Sequence, residues 1–255
     1  MIRKWGELTS DELSDLARLR PVAALVLGAV EQHGPHLPLA TDCLIGEGLL
    51  AEAASRLDAA FPLVTLPTLS IGASDEHATF PGTLTLPPEQ MKHQLVAVGE
   101  GLARARIDRL VLVNAHGGNI GWMDDAALEL RRRRGMLVVK ASYMRFRPPS
   151  DQLDAGELKD GLHGGLAETA MMLHLAADLV HMDRARDFAS RHPHGKPLPP
   201  QGEAPWAWLA EDLNDAGVVG DASAATADLG ERLVAHYAGR LATVLAECRN
   251  KDWQP

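Results

Sequence analysis

Cysteine is scarce: Cys43 and Cys248 are the only two in 255 residues. They stand far apart and fit neither a disulfide framework nor a zinc-knuckle spacing. The cytosol is the compartment such usage suggests. Basic charge is in deficit, with 25 Lys and Arg against 34 Asp and Glu, a formal net charge of −9. That argues against nucleic acid as a partner and for a soluble protein with a small or cation-tolerant ligand. The one basic run, Arg131 to Arg134, closes an expected helix, where cations complement the macrodipole. No apolar stretch approaches a membrane span, and the start, Met1 to Glu7, lacks the apolar core of a signal peptide. Also missing are the Gly-x-Gly-x-x-Gly and Gly-x-x-x-x-Gly-Lys-Ser/Thr phosphate loops and the Gly-x-Ser-x-Gly elbow.

What the chain does have is alternation of strands and helices. Val22 to Val30 is a continuous apolar run, the mark of a strand buried on both faces. Further strands are expected at 62–66, 109–114 and 136–141. Helices are expected at 43–57, 88–105, 122–134, 165–177 and 225–247. Pro88 opens one of these helices, where its missing N–H costs little. Irregular stretches are expected at 71–87 and 148–162, and a surface loop with one short helix at 190–222. The pattern implies an α/β fold, three-layer α/β/α with a mainly parallel sheet. With 46% hydrophobic residues, no repeat and no linker, 1–255 reads as a single domain.

Eleven histidines fall unevenly along this frame. Asn114-Ala115-His116-Gly117-Gly118-Asn119 follows the strand at 109–114, so His116 stands where α/β proteins tend to bind ligands. It is a candidate metal ligand or proton carrier; holding a turn is the alternative. After the first strand come Glu31, His33, His36 and Asp42. Glu31 and His33 share a side of an extended chain. With Asp42 they form a carboxylate and imidazole set that suits zinc, manganese or iron. The alternative for Asp42 is a helix N-cap, and for His33 and His36 a bond to loop backbone. A third group holds Asp160, His163 and Glu168. Glu168 lies in the first turn of a helix, where the dipole favours an acid in any case. His163 sits in a glycine-flanked loop, free to be reoriented. Residues 74–83, with Glu76 and His77, could line a cleft or form plain surface. His174 falls opposite Glu168 on its helix, and His93, His181, His192, His194 and His236 read as surface or loop positions. Cys43 has no evident partner that would make it a nucleophile.

Together these residues resemble the creatininase family of metal-dependent amidohydrolases. Gly28 to Leu39 with Thr41-Asp42 is similar to its first motif. Glu76-His77 with Phe80-Pro81-Gly82-Thr83 resembles the second, and Asn114 to Asn119 the third. Asp160, His163 and Glu168-Thr169 resemble the fourth. Gly217-Val218-Val219-Gly220-Asp221 with Ala225-Thr226 resembles the C-terminal signature. Five motifs in the right order cover most of the chain.

The resemblance implies a two-metal centre, two divalent ions (Zn, Mn or Fe) per chain, and a homohexamer. By matched position, Glu31, Asp42 and His116 would hold one metal. His33, Asp42 and Glu168 would hold the other, with Asp42 bridging. His163 matches the family's proton-transferring histidine and Asp160 a substrate-side carboxylate. The implied reaction is attack of activated water on an amide, cyclic-amide or formamide carbonyl of a small molecule, a C–N bond other than a peptide bond. Two departures point away from creatinine. Creatininase proper has an aromatic residue and a glutamate after the metal histidine, where Gly117 and Gly118 stand here and leave room. It has a tryptophan before the substrate-side aspartate, where Lys159 stands. The His-Gly-Gly-Asn form is shared with formamidopyrimidine deformylases, the peptide-trimming enzyme of mycofactocin synthesis and an inosose-ring hydrolase. Lactone or ring C–C cleavage, or a non-catalytic metal protein, remain alternatives.

Overall fold

The structure, a computed structural model, describes residues 1–254 except 150, 151, 154, 155, 194 and 196. His194 and part of the expected irregular stretch at 148–162 lie outside the described residues.

The chain begins with β1 (Ile2–Lys4), α1 (Ser10–Ala17), β2 (Val22–Leu27), α2 (Thr41–Ser55) and β3 (Leu63–Thr65). Then come α3 (Pro88–Arg104), β4 (Arg109–Asn114), α4 (Ile120–Arg134) and β5 (Leu137–Ser142). The remainder holds α5 (Glu157–Asp160), α6 (Leu166–Leu175), β6 (Asp187–Phe188), α7 (Ala210–Leu213), β7 (Gly220–Asp221) and α8 (Ala227–Asn250). Five parallel strands form one sheet in the order β1-β3-β2-β4-β5. β6 and β7 pair separately, antiparallel.

β2 shows why its sequence is apolar throughout. Val22, Ala24 and Val26 join the core formed with α2, α6 and α8. Ala23, Leu25 and Leu27 point the other way, into the core formed with α1, α3 and α4. Helices on both faces of a parallel sheet make the expected three layers. α4 ends at Gly135, whose φ of 65° is the left-handed turn that glycine adopts freely.

The topology also places the crevice. From β2 the chain crosses by α2 to β3 on one side. It then returns by α3, on the opposite face, to β4 on the other side of β2. The connections therefore diverge at the carboxyl ends of β2 and β4, which are paired at Leu27 and Asn114. Such a switch point opens a crevice there. Glu31 leaves the first strand into it and His116 leaves the second.

The structure adds elements that sequence patterning did not reveal. β1 is a three-residue, mostly exposed edge strand. α1 carries its own start signal: Thr9 and Glu12 form a reciprocal capping box. β7 replaces part of the loop expected at 190–222, and β6 pairs with it from just before that loop. No helix among the described residues is long and apolar enough to cross a membrane.

Candidate metal centre and cleft

Loop closure sets the first group. Glu31 N–H donates to the Leu39 carbonyl at 3.0 Å, folding residues 31–39 back on themselves. Thr41 Oγ1 bonds the Pro38 carbonyl at 2.7 Å and starts α2. Asp42 then falls inside the first turn. It is not the N-cap: that position is Ala40, with no side-chain cap bond. The second group is tied down by its asparagines. Asn114 Nδ2 donates to the His116 carbonyl at 2.8 Å. Asn119 Nδ2 donates to the Gly28 carbonyl at 3.0 Å, linking the β4 loop to the end of β2.

The structure brings Glu31, His33, Asp42, His116, His163 and Glu168 together. Among the described residues, three sets could hold a metal ion: Glu31, Asp42 and His116; His33, Asp42 and Glu168; and Glu31, His33 and His163. His116 Nδ1 lies 3.3 Å from Glu31 Oε1 and 3.1 Å from Asp42 Oδ2. His33 Nε2 lies 3.2 Å from Asp42 Oδ1 and 3.9 Å from Glu168 Oε2. His163 Nδ1 lies 3.7 Å from Glu31 Oε1.

The far side of each ring decides what these nitrogens present. His116 Nε2 donates to the Ala73 carbonyl at 2.8 Å, His33 Nδ1 to the Glu31 carbonyl at 3.1 Å, and His163 Nε2 to the Gln32 carbonyl at 2.8 Å. A carbonyl only accepts, so each proton sits on the outer nitrogen. In the neutral rings, the nitrogens facing the carboxylates therefore carry lone pairs. Both oxygens of Glu31, Asp42 Oδ2 and His33 Nε2 are buried without a hydrogen-bond partner among the described residues. Lone pairs converge on lone pairs, and the cluster calls for positive charge. Protons answer this in the same way: burial opposes protonation of His33, yet Asp42 and Glu168 outweigh it and raise its pKa to about 9. His116 is likewise raised, against burial, by Glu31 and Asp42.

Glu168 is held differently. Tyr143 Oη donates to its Oε1 at 3.0 Å and the Gly164 N–H to its Oε2 at 2.7 Å. His163 is not free to reorient. It bridges backbone-to-backbone with Val219 and stacks between His33 and His77, at 4.1 and 4.2 Å. His36 faces away from the cluster, onto the Thr169 hydroxyl at 2.9 Å. Burial, with Asp42 nearby, pushes the Cys43 thiol up to about 12, so it is no nucleophile.

Above the cluster is a cavity of about 640 Å³. Its floor holds Glu31, Asp42, His116, His163 and Glu168. Its rim holds Met144, Arg145, Leu162, Gly202, Pro205 and Trp208. The 74–83 segment does line it, through Glu76 and His77. Asp160 does not. It closes the single turn of α5 and borders a different cavity, with Glu157, Phe188 and Asp221. The backbone turns between Asp160 and His163, and only Leu162 and His163 reach the cleft. Of the two glycines, Gly117 leaves open space, but Gly118 does not. A Cβ there would collide with the Ala73 carbonyl oxygen and press on His116 Nε2.

Sequence reading assigned no role to Gln32 or Tyr143, and to His77 only a place in a possible cleft wall. Only the Glu76-His77 pair carried a signal, from its place in the second motif.

The family model for creatininase, described as creatinine amidohydrolase, matches residues 6–245. The chain belongs to the creatininase family. It is 34% identical over 236 residues to a mycofactocin precursor peptide peptidase of Mycobacterium tuberculosis, covering 90% of this chain and 86% of that protein. It is 34% identical over 199 residues to a creatinine amidohydrolase of Pseudomonas putida, covering 71% of this chain and 75% of that one. Among solved creatininases, one designated Mn shares 27% identity with a TM-score of 0.79, covering 97% of this chain and 99% of its own. A creatininase-family hydrolase with metal-ligating clusters at the switch point of its sheet is the common ground.

Proposed function

We propose that this chain is a two-metal hydrolase that cleaves an amide C–N bond. The observation that carries the reading is the convergence of unpartnered, buried oxygen and nitrogen lone pairs in sets that share Asp42. Glu31, Asp42 and His116 would hold one divalent cation, and His33, Asp42 and Glu168 the other. The donors are carboxylates and imidazoles without thiolate, which suits zinc, manganese or iron. Structural zinc sites are typically closed and rich in Cys, so a purely structural role fits poorly. Bound there, such cations supply Lewis acidity, polarising a carbonyl and making water acidic near neutral pH.

The chain's own residues do the rest. His163 offers Nδ1 as a proton acceptor within the cleft while Nε2 is anchored on the Gln32 carbonyl. It takes a proton from water and returns it to the departing nitrogen. Tyr143 and the Gly164 N–H hold Glu168 still. Leu162, Pro205 and Trp208 add apolar surface to the cleft lining.

The amide of a short peptide is favoured over creatinine. The cavity volume falls within the range for ligands well above a single small ring. Gly117 leaves the space beside the cluster open. The mycobacterial relative named for a precursor peptide also matches more of the chain than the creatinine amidohydrolase does. The test is metal analysis of untagged protein, followed by a screen of short peptides, formamides, lactams and keto-inositols with Mn²⁺, Zn²⁺ or Fe²⁺. About two ions per chain and amide cleavage are expected. Full activity after chelation, with no metal bound, would sink the reading.

A further inference from the structure

His77 belongs to none of the three candidate ligand sets, although it lines the cleft and is almost fully buried. Its Nδ1 lies 2.8 Å from Gln32 Nε2. The other contacts of that amide fix which end is which. Gln32 Oε1 accepts from the Gly34 N–H at 2.9 Å, and Nε2 donates to the Gly217 carbonyl at 2.6 Å. Exchanging the two ends would set donor against donor and acceptor against acceptor. The second hydrogen of Nε2 therefore points to His77 Nδ1, which accepts it. The ring proton of His77 is on Nε2.

Nε2 lies 3.5 Å from Glu31 Oε1, longer than a hydrogen bond, so its N–H acts on that oxygen as a dipole and leaves it unpaired among the described residues. The contrast with its neighbours is chemical. His116 and His163 turn Nδ1 lone pairs toward the same oxygen, because carbonyls hold their Nε2 protons on the far side. His77 alone of the three is arranged in reverse. Carboxylates that ligate metals are commonly oriented by polar groups outside the ligand set.

We propose that His77 is a positioning residue for Glu31: an imidazole locked by Gln32 as the Nε2–H tautomer, whose N–H orients the Glu31 carboxylate for metal. Gln32 is thus the hub of the centre. Its side chain sets His77 while its backbone carbonyl sets His163. The inference rests on the metal centre proposed above. The rival role is a spacer, since the His77 and His163 rings stack at 4.2 Å and 27°.

Three variants separate these roles. His77→Phe keeps a flat ring against His163 and removes the N–H. His77→Gln returns a donor near the Nε2 position without the ring. Gln32→Glu replaces the amide donor with an acceptor and draws the imidazole proton to Nδ1. Ring ¹⁵N shifts of histidine-labelled protein report the tautomer, and competition with a chromogenic chelator reports Zn²⁺ affinity. Wild type should show a protonated Nε2 and a bare Nδ1, and Gln32→Glu a protonated Nδ1. Zn²⁺ affinity should fall by about 10–100-fold in His77→Phe and Gln32→Glu, the usual effect of losing such a partner. It should recover in His77→Gln, with the melting temperature of zinc-free His77→Phe unchanged. An Nδ1–H tautomer in wild type overturns the proposal. So does wild-type Zn²⁺ affinity in His77→Phe, which is the spacer's signature. A wild type that takes up neither Zn²⁺ nor Mn²⁺ brings down the functional reading, and this inference with it.

Discussion

Arg109 and Glu31 are both charged, both buried, and lie at opposite ends of the paired strands β2 and β4. Arg109 opens β4, level with Val22. Its Nε donates to the Cys248 carbonyl and one terminal nitrogen to the Lys251 carbonyl, each at 3.2 Å; the other meets Asp108 at 2.9 Å. The guanidinium ties the end of α8 to the foot of the sheet. Glu31 lies just past the top of β2, and neither of its oxygens has a hydrogen-bond partner among the described residues. Burying a charge is costly in either place unless it is paired and hydrogen-bonded. At the foot, the folded chain supplies the partners. At the top it withholds them, and the deficit marks a place for something that is not protein. Satisfied burial signals architecture, and unsatisfied burial signals a ligand.

Substitutions at the two ends should behave oppositely. The largest effect expected is in Asp42→Asn, which removes the carboxylate common to two ligand sets. Hydrolysis should drop by roughly 10⁴-fold or more, the scale for losing one member of a group that acts as a unit. In urea at neutral pH, Asp42→Asn should cost the metal-loaded protein more than the metal-free one, where only the pairing with His33 and His116 is lost. Equal losses with and without metal would mean that the top of the sheet is architecture too. Arg109→Met should do the reverse. It leaves two carbonyls without their donor while Asp108 keeps its contact with Arg20, and should cost about 1–3 kcal/mol in urea unfolding. Its folded fraction should still bind two metals; loss of metal would break the comparison from the other side. Third, Zn²⁺ at a hundred times its dissociation constant should stabilise the wild type by about 2.7 kcal/mol, and Asp42→Asn by far less. Tyr143→Phe should loosen metal by about tenfold through Glu168, as equilibrium competition would show.

The smallest effect belongs to a surface charge. Glu12 is fully exposed, and the Thr9 backbone N–H, with Arg3, holds its carboxyl down at about 2. A lowered carboxyl pKa stabilises the fold above its ordinary range near 4.5 and ceases to do so as pH falls through 2. Melting temperatures of wild type and Glu12→Gln should therefore differ slightly at pH 7 and coincide near pH 2. A difference that persists there would assign the effect to packing.

The two ends also differed in how far they could be read from sequence. The strands at 22–27 and 109–114 are unbroken apolar runs, and such runs in a βα alternation leave little choice of fold. The residues of the cluster stood out because each follows a strand or opens a helix beside glycine. Arg109 did not, since nothing in an isolated arginine says that the last turn of a distant helix will bond it. The roles of His77 and Gln32 were hidden for a related reason. Their meaning is a direction of hydrogen bonding, and that exists only once Gly34, Gly217 and Glu31 are in place. Asp160 and His163 show the limit of motif transfer. Neighbours in one motif, they are sent by a single turn of backbone to different cavities. Gly118, expected beside Gly117 to leave room, instead marks a close approach of two loops.

That close approach limits what position 118 can hold. The carbonyl that would collide with a side chain at Gly118 belongs to Ala73, and the same oxygen receives the His116 proton. A single replacement of Gly118 would thus displace the group that keeps His116 turned toward Glu31 and Asp42. A side chain at 118 could be accommodated only with a rebuilt 73–76 loop. The two segments, more than forty residues apart in sequence, are fitted to each other, and an engineer altering one would have to alter the other.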